Sequence, residues 1–305
     1  MIISWLTGGL GNQMFQYAAG LALAERRRTL LKLDPSWFQE RADYEAHNRY
    51  ALSCLNITER FATAEEVDRL RGVQLTHTER WSVAVARALR LREYVRRRTR
   101  IGRVYAPPTF RFQPEFFEQP DNTYLSGMFQ SEQFFAPVAD LLRLHFSFRY
   151  PPPPEVVAMA ERIRSGPSVA VHFRRGDYTR AFSGDIGMLG LDYYERALQR
   201  VRERSPQATL YLFSDDIEAV AREFHPPGPH VFVRCVQAWH SYDKIRLMAL
   251  CDHLVIANST FSWWAAWLSR SPDKLVIAPD PWFANSPNDT TDLVPASWTR
   301  LSARS

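Results

Sequence analysis

Val169-Ala170-Val171-His172-Phe173-Arg174-Arg175-Gly176-Asp177-Tyr178 is a short apolar strand that runs into a histidine, two arginines and an aspartate. In open α/β sheets the strands deliver their ligand-contacting groups at their carboxyl ends. On a two-residue alternation Ala170, His172 and Arg174 share one face, and Val169, Val171 and Phe173 take the other. His172 and Arg174 are therefore expected to point together above the strand end. A guanidinium fork there offers planar, bidentate, permanently charged donors that suit a phosphate. The plainer alternative is an arginine that pins a loop to a carboxylate such as Asp177. Placement at a strand end favours anion binding, with His172, Arg174 and Arg175 as the candidate contacts.

Working outward, short apolar runs alternate with helical patterns, which predicts parallel α/β sheets. Strands are expected at Ile2–Leu6, Leu30–Leu33, Thr209–Phe213, Val231–Arg234, His253–Ala257 and Leu275–Ala278, besides Val169–Phe173. Helices are expected at Asp192–Arg204, Ile217–Phe224, Tyr242–Cys251 and Phe261–Ser269. Pro151-Pro152-Pro153-Pro154 is a stiff spacer unable to continue a helix or a central strand. It sets the expected division into two α/β domains, 1–150 and 151–305.

The bulk properties are those of an ordinary globular chain: 305 residues, 46% hydrophobic and 23% charged. No apolar run approaches the ~18 residues that span a bilayer, and the start lacks the pattern of a secretory leader. A cytoplasmic protein is expected. Three widely spaced cysteines, Cys54, Cys235 and Cys251, indicate neither a disulfide framework nor a zinc site. The net charge of +5 favours an acidic ligand without demanding nucleic acid. Much of the excess lies in Arg87–Arg103, where eight arginines interleave with Leu89, Leu91, Tyr94 and Val95. As a helix this stretch is either a solvated face or a peripheral contact for an anionic membrane.

Three further constellations carry chemistry. Leu254–Ala257 runs straight into Asn258-Ser259-Thr260 and a helix that contains Ser262. Ser or Thr there is a good N-cap, and the free N–H groups of that helix start also suit a phosphate. Paired with the arginine strand, this makes two anion-binding devices in one domain, which points to a diphosphate. Asp215 and Asp216 close another strand. A carboxylate there can accept the two donors of a guanine edge, or cap the helix that follows. The two aspartates are not ranked. Lastly, Gly9-x-Gly11-x-x-Met14 follows a strand and nearly matches the dinucleotide fingerprint, with Asp34 about 20 residues on as the ribose-binding acid. Met14 in place of the third glycine hinders close helix–strand packing. An NAD-linked oxidoreductase using the Gly8–Gly11 turn is thus the runner-up from another class.

The arginine segment resembles the H-x-R-R-G-D motif of fucosyltransferases. Gly8-Gly9-Leu10-Gly11-Asn12-Gln13-Met14-Phe15-Gln16-Tyr17 is similar to the amino-terminal signature of the bacterial α-1,2-fucosyltransferases, glycosyltransferase family 11. So are Ser126–Glu132, Leu191–Tyr194, Phe213–Asp216 and Ala257–Trp264, in the family's order. The middle, from about Arg41 to Arg103, carries little of the resemblance. One departure is Gly184–Gly190, where the family pattern has a cysteine-containing stretch and this chain has a glycine-rich one.

The resemblance implies two Rossmann-like domains facing a cleft, the GT-B type, with the first on the acceptor side and the second binding GDP-L-fucose. It implies an inverting transfer of fucose to the 2-hydroxyl of a terminal β-galactoside, lipid-linked in one variant, at the inner face of the cell membrane. No metal is expected: the chain has no D-x-D motif, and Arg174, Arg175 and the Asn258–Ser262 turn would neutralise the leaving diphosphate. Under this reading Asp215 or Asp216 contacts base or ribose, and Asn12 bonds the acceptor hydroxyl or the leaving phosphate. Asp177 is the first candidate for the base, with Glu132 and Asp185 behind it. A fucosyltransferase of another linkage and a non-catalytic nucleotide-binding protein stay open.

Overall fold

In a computed structural model, residues 1–40, 49–72, 102–175, 187–236, 238–284 and 288–304 are described, together with residues 85 and 89. The chain divides into two compact units, Met1–Phe146 and Ser147–Ser305. The division falls just before the proline run rather than within it. Pro154 is the first residue of a helix, Pro154–Arg164, a position where the fixed proline φ is already helical.

The first unit is built on a parallel sheet of four strands: β1 (Ile2–Trp5), β2 (Leu31–Asp34), β3 (Val104–Tyr105) and β4 (Thr123–Leu125), in the order β2-β1-β4-β3. β1 pairs with both β2 and β4, so it is an interior strand, hydrogen-bonded along both edges. Helix α1 (Leu10–Arg27) follows β1 and is buried on almost every side from Leu10 to Ala24. Gly20 lets it lie close to the sheet, since a Cβ there would stand 3.1 Å from the Ser4 Cβ. Ser4 Oγ donates to the Gln16 carbonyl at 2.8 Å across the same contact.

Helices α2 (Ser36–Glu40), α3 (Ala64–Arg71) and α4 (Ala139–His145) complete the regular helices described in this unit. Thr63 and Glu66 close a capping box at the start of α3.

The second unit holds a six-stranded parallel sheet: β5 (Ser168–Phe173), β6 (Thr209–Ser214), β7 (His230–Phe232), β8 (His253–Val255), β9 (Val276–Asp280) and β10 (Thr299–Ser302). Its order, β10-β9-β8-β5-β6-β7, is that of a doubly wound nucleotide-binding sheet. The chain winds outward from β5 to β7, then returns to place β8 on the other side of β5. The Ser168 N–H and Oγ both donate to Asp252 Oδ2, at 2.9 and 3.0 Å, and fix the start of that pairing.

The helices are α5 (Pro154–Arg164), α6 (Leu191–Arg204), α7 (Ile217–Glu223), α8 (Asp243–Met248) and α9 (Thr260–Leu268). Tyr193 and Tyr194 of α6 are buried against β5, the Tyr194 ring stacking on Phe173 at 3.8 Å between centroids. Arg246 of α8 secures the first residues of the unit. Its Nη2 donates to the Tyr150 carbonyl at 2.8 Å, and its guanidinium lies 4.8 Å above the Phe148 ring.

No described helix is long and apolar enough to cross a membrane. The basic stretch Arg87–Arg103 lies outside the described residues except for Leu89, Gly102 and Arg103.

Candidate active site

The winding of the second sheet reverses between β5 and β8, and ligands of such sheets bind outside the carboxyl ends of the strands at that point. The pairings of β5 with β6 and β8 bring the arginine segment, Phe213–Asp216 and Ala257–Trp264 together there. In the parallel register Phe173 stands beside Ser214, so the next residues, Arg174 and Asp215, are neighbours. Arg174 Nη1 reaches Asp215 Oδ2 at 2.8 Å, while the Arg175 N–H donates to Asp215 Oδ1 at 2.8 Å. One carboxylate thus fixes both arginines at the end of β5. The Arg175 side chain turns away, with Nη2 3.1 Å from Glu223 Oε2.

Asp216 has the other job. Its Oδ1 accepts from the Ala219 N–H at 3.0 Å and caps α7. Within the protein, Asp215 orients the arginine and Asp216 caps the helix. Among the described residues Arg174 also has a carboxylate partner, Asp215, one residue beyond β6. Lys244, which sequence reasoning passed over, joins this end of the sheet from α8, donating from Nζ to the Ser214 carbonyl at 2.6 Å. Its contact depends on how α8 packs against β6, for which the sequence carries no local signal.

Beside β5, β8 ends at Val255 and the chain turns through Asn258 and Ser259 into α9. Ser259 is the N-cap, its hydroxyl accepting from the Phe261 N–H. Thr260 opens the helix and is partly exposed, with no acidic residue in the first turn. The positive end of the helix dipole thus meets the same crevice that Arg174 borders. Asn258 is buried and donates from Nδ2 to the Gly187 carbonyl at 2.9 Å, tying the glycine-rich stretch to this turn.

His172 is buried, as is every residue of β5, and Arg174 lies one residue beyond the strand. The His172 ring stands 6.0 Å from that of Phe261 in the first turn of α9. Burial pushes the His172 imidazole down to about 3, against the raising effect of Asp215. It stays neutral at ordinary pH, and its Nδ1 has no hydrogen-bond partner among the described residues. Ser262 is likewise inaccessible, its hydroxyl donating to the Ser259 carbonyl at 3.3 Å, so it shapes the turn from within.

In the first unit the glycine turn sits at the carboxyl end of β1. Gly8 has φ +69°, the left-handed region that glycine enters without strain. Gln13 stitches the turn to the segment after it: Nε2 donates to the Gly8 and Arg49 carbonyls, both at 2.8 Å, and Oε1 accepts from the Ala51 N–H at 2.8 Å. Gln16 accepts from the Thr7 N–H at 2.9 Å. Asn12, in the first turn of α1, accepts at Oδ1 from Gln130 Nε2 at 3.0 Å. The end of β1 and the segment after β4 are joined in this way.

The acid of the dinucleotide reading, Asp34, is buried and already bonded, accepting from the Tyr124 hydroxyl at 2.6 Å and the Ser36 N–H at 3.0 Å. The NAD reading loses its ribose-binding group. Glu132 opens a short 3-10 turn after Ser131. Asp177 and Asp185 lie outside the described residues. Among the described residues, no group of three or more His, Cys, Asp or Glu side chains is placed to hold a metal ion.

Residues 112–301 match the family model of glycosyl transferase family 11, which is well over half of the chain. The chain belongs to this family.

As a family 11 glycosyltransferase it has full-length relatives. The O-antigen biosynthesis glycosyltransferase WbnK of Escherichia coli is 29% identical over 98% of this chain and 99% of its own length. An alpha-1,2-colitosyltransferase of Escherichia coli is 28% identical over 99% of both chains. Among solved structures, the NodZ alpha-1,6-fucosyltransferase soaked with GDP-fucose superposes with a TM-score of 0.48 at 16% identity, over 94% of this chain and 99% of that one. Both units have the α/β class with parallel sheets that the sequence led one to expect.

Proposed function

We propose that this glycosyltransferase is an inverting, GDP-L-fucose-dependent galactoside α-1,2-fucosyltransferase of bacterial surface-glycan synthesis. The observation that carries the reading is Arg174, held by Asp215 at the point where the second sheet reverses, beside the amino end of α9. These are donors and positive charge gathered for a diphosphate, and the resemblance of the sequence blocks to those of the α-1,2-fucosyltransferases supports fucose as the sugar. The first unit is the acceptor side. The reading includes a cytoplasmic enzyme that uses no metal and works on a β-galactoside, lipid-linked or free, with Arg87–Arg103 as its contact to an anionic membrane.

In this mechanism the bond between fucose C1 and the β-phosphate oxygen breaks first, its electron pair leaving with GDP. Negative charge grows on that oxygen as the sugar becomes oxocarbenium-like. Arg174 and the N–H groups around Ser259 and Thr260 meet the charge without having to reorganise, which is the largest single source of catalysis in such sites. The galactose 2-hydroxyl attacks C1 from the opposite face and inverts the configuration. Its proton passes to Asp177, the leading candidate, with Glu132 and Asp185 behind it.

Asp177→Asn is expected to lower kcat by about 10², the low end for a general base, because a dissociative transition state asks little of one. Affinity for GDP should stay unchanged. Full activity in Asp177→Asn removes it from this role.

A second donor is favoured by the similarity to an alpha-1,2-colitosyltransferase. Colitose is fucose without its 3-hydroxyl. A site that hydrogen-bonds that hydroxyl would discriminate between the two donors by up to about 10⁴–10⁵.

The reading is tested by thermal unfolding in EDTA with GDP, GDP-fucose, UDP or NAD added separately, followed by transfer to a β-galactoside. A ligand at a hundred times its Kd stabilises the native state by about 2.7 kcal/mol. Stabilisation by GDP and GDP-fucose, and not by UDP or NAD, is the expected result. A response to NAD alone would overturn the reading.

A further inference from the structure

We propose that Lys244 selects the base of the donor nucleotide, its ammonium donating to the O6 and N7 acceptors of a 6-oxopurine at the carboxyl ends of β6 and β7. The inference deepens the proposed function and rests on it. It involves the second unit alone.

Of the 38 lysines and arginines in the chain, three are lysines. Two of these are accounted for within the protein. Lys32 Nζ bonds both oxygens of Glu66, at 2.6 and 2.7 Å. Lys274 Nζ donates to the Ala266 and Ser269 carbonyls at the end of α9, both at 2.7 Å, where a cation complements the helix dipole. Lys244 differs. It is the second residue of α8 and is partly buried, and its Nζ donates to the carbonyl of Ser214, the last residue of β6, at 2.6 Å.

An ammonium carries three N–H donors. No carboxylate pairs with Lys244 among the described residues, because the acids nearest to it are engaged elsewhere. Asp215 holds Arg174 and the Arg175 N–H, and Asp216 caps α7. Asp243 accepts from the His240 N–H at 2.9 Å and lies 3.6 Å from Arg246 Nε. A partly buried charge without a counterion gives up hydration that one carbonyl bond returns only in part.

The place of Lys244 in the fold says what the remaining donors serve. In a doubly wound sheet the diphosphate lies where the strand order reverses, and an acid at the end of the adjoining strand meets the ribose. The base, at the far end of the nucleotide, extends beyond that strand. Here the reversal lies between β5 and β8, and β6 and then β7 follow on the β5 side. Asp215 stands at the end of β6, so the ground beyond it is the end of β7. Lys244 occupies that ground. On one side it bonds Ser214; on the other, burial pushes the Cys235 thiol just past β7 up, and the Lys244 charge acts against that shift.

Purines differ on the edge that a lysine can read. Guanine presents two acceptors, O6 and N7, whereas adenine presents N7 and an amino donor. An ammonium only donates, so it binds the first pair and opposes the amino group of the second. A carboxylate such as Asp215 would read the N1 and N2 donors of another edge, so the two contacts do not compete.

Calorimetric titration of the wild type and of Lys244→Met with GDP, IDP, ADP and the diphosphate of 2,6-diaminopurine riboside provides the test. Methionine keeps the length of the side chain without a donor. GDP and IDP, which share O6 and N7, should each lose affinity by about tenfold or more in the variant. ADP and the diaminopurine nucleotide, which carry an amino group in place of O6, should bind wild type and variant alike. An equal loss for all four would place the ammonium on the phosphates or in the fold, and overturns the inference. Undiminished GDP affinity overturns it too. Lys244→Gln, with a neutral amide donor, covers poor folding of the methionine variant and should show a smaller loss confined to GDP and IDP. If the wild type binds no guanine nucleotide, the functional reading falls and the inference with it. If the wild type binds GDP and the variants keep its preference over ADP, the inference alone falls.

Discussion

Arg174→Ala is expected to lower kcat by about 10²–10³, the scale of deleting one preorganised donor aimed at developing charge. The side chain stands one residue beyond β5 and is held by Asp215 at 2.8 Å, so it makes its contact without searching for a conformation. Removing it does more than delete a cation. The Asp215 carboxylate keeps the Arg175 N–H and the Ser214 hydroxyl but loses the Arg174 guanidinium, and a less neutralised carboxylate beside a leaving diphosphate opposes the reaction. Arg174→Lys should recover only part of the loss, since an ammonium cannot reproduce the planar fork that pairs with a carboxylate and a phosphate together. Steady-state kinetics with GDP-fucose and a β-galactoside, alongside a melting curve, check this. A loss under about tenfold at unchanged stability would remove Arg174 from the phosphate site.

The second large effect is on stability. Trp263→Ala is expected to cost about 3–5 kcal/mol, the usual range for truncating a buried tryptophan. Trp263 is wholly buried and its Nε1 donates to the Leu293 carbonyl at 2.8 Å. Its ring meets Trp264 edge-on at 4.9 Å and Trp298 at 5.3 Å. Alanine would leave a cavity and strip that carbonyl of its donor in one step. Against the 5–15 kcal/mol that holds a domain together, this is a large share. A urea transition with a lowered midpoint and an unchanged slope is the expected signature. A shift equivalent to less than about 1 kcal/mol would mean that the tryptophan cluster repacks.

Much of this architecture was legible because buried parallel strands leave uninterrupted apolar runs. Val169–Phe173 and Thr209–Phe213 were placed within a residue of β5 and β6, and Phe261–Ser269 within a residue of α9. The strands that escaped notice, β3, β4 and β10, are two to four residues long and carry no periodic pattern. The blocks that form the site were found, but the bonds between them were not. That Asp215 pairs with Arg174 follows from the register of β5 with β6, and no local pattern encodes register between parallel strands. Gly20, which brings α1 close to β1, lies beyond the third-glycine position of the fingerprint and so escaped a motif search.

The return of β8 to the side of β5 also bears on how the second unit is made. Ser168 and Asp252, which open that pairing, are 84 positions apart in the chain. Closing so long a loop is entropically costly, and folding rates fall as contacting residues become more distant in sequence. The anion-binding crevice therefore has no local precursor. Arg174 can meet Asp215 once the crossover from β5 through α6 to β6 has formed, but the turn at Asn258 arrives only with the pairing of β5 and β8. Under the proposed function, nucleotide affinity would report completion of the β5–β8 pairing, because a chain that has not yet added β8 lacks the turn at Asn258.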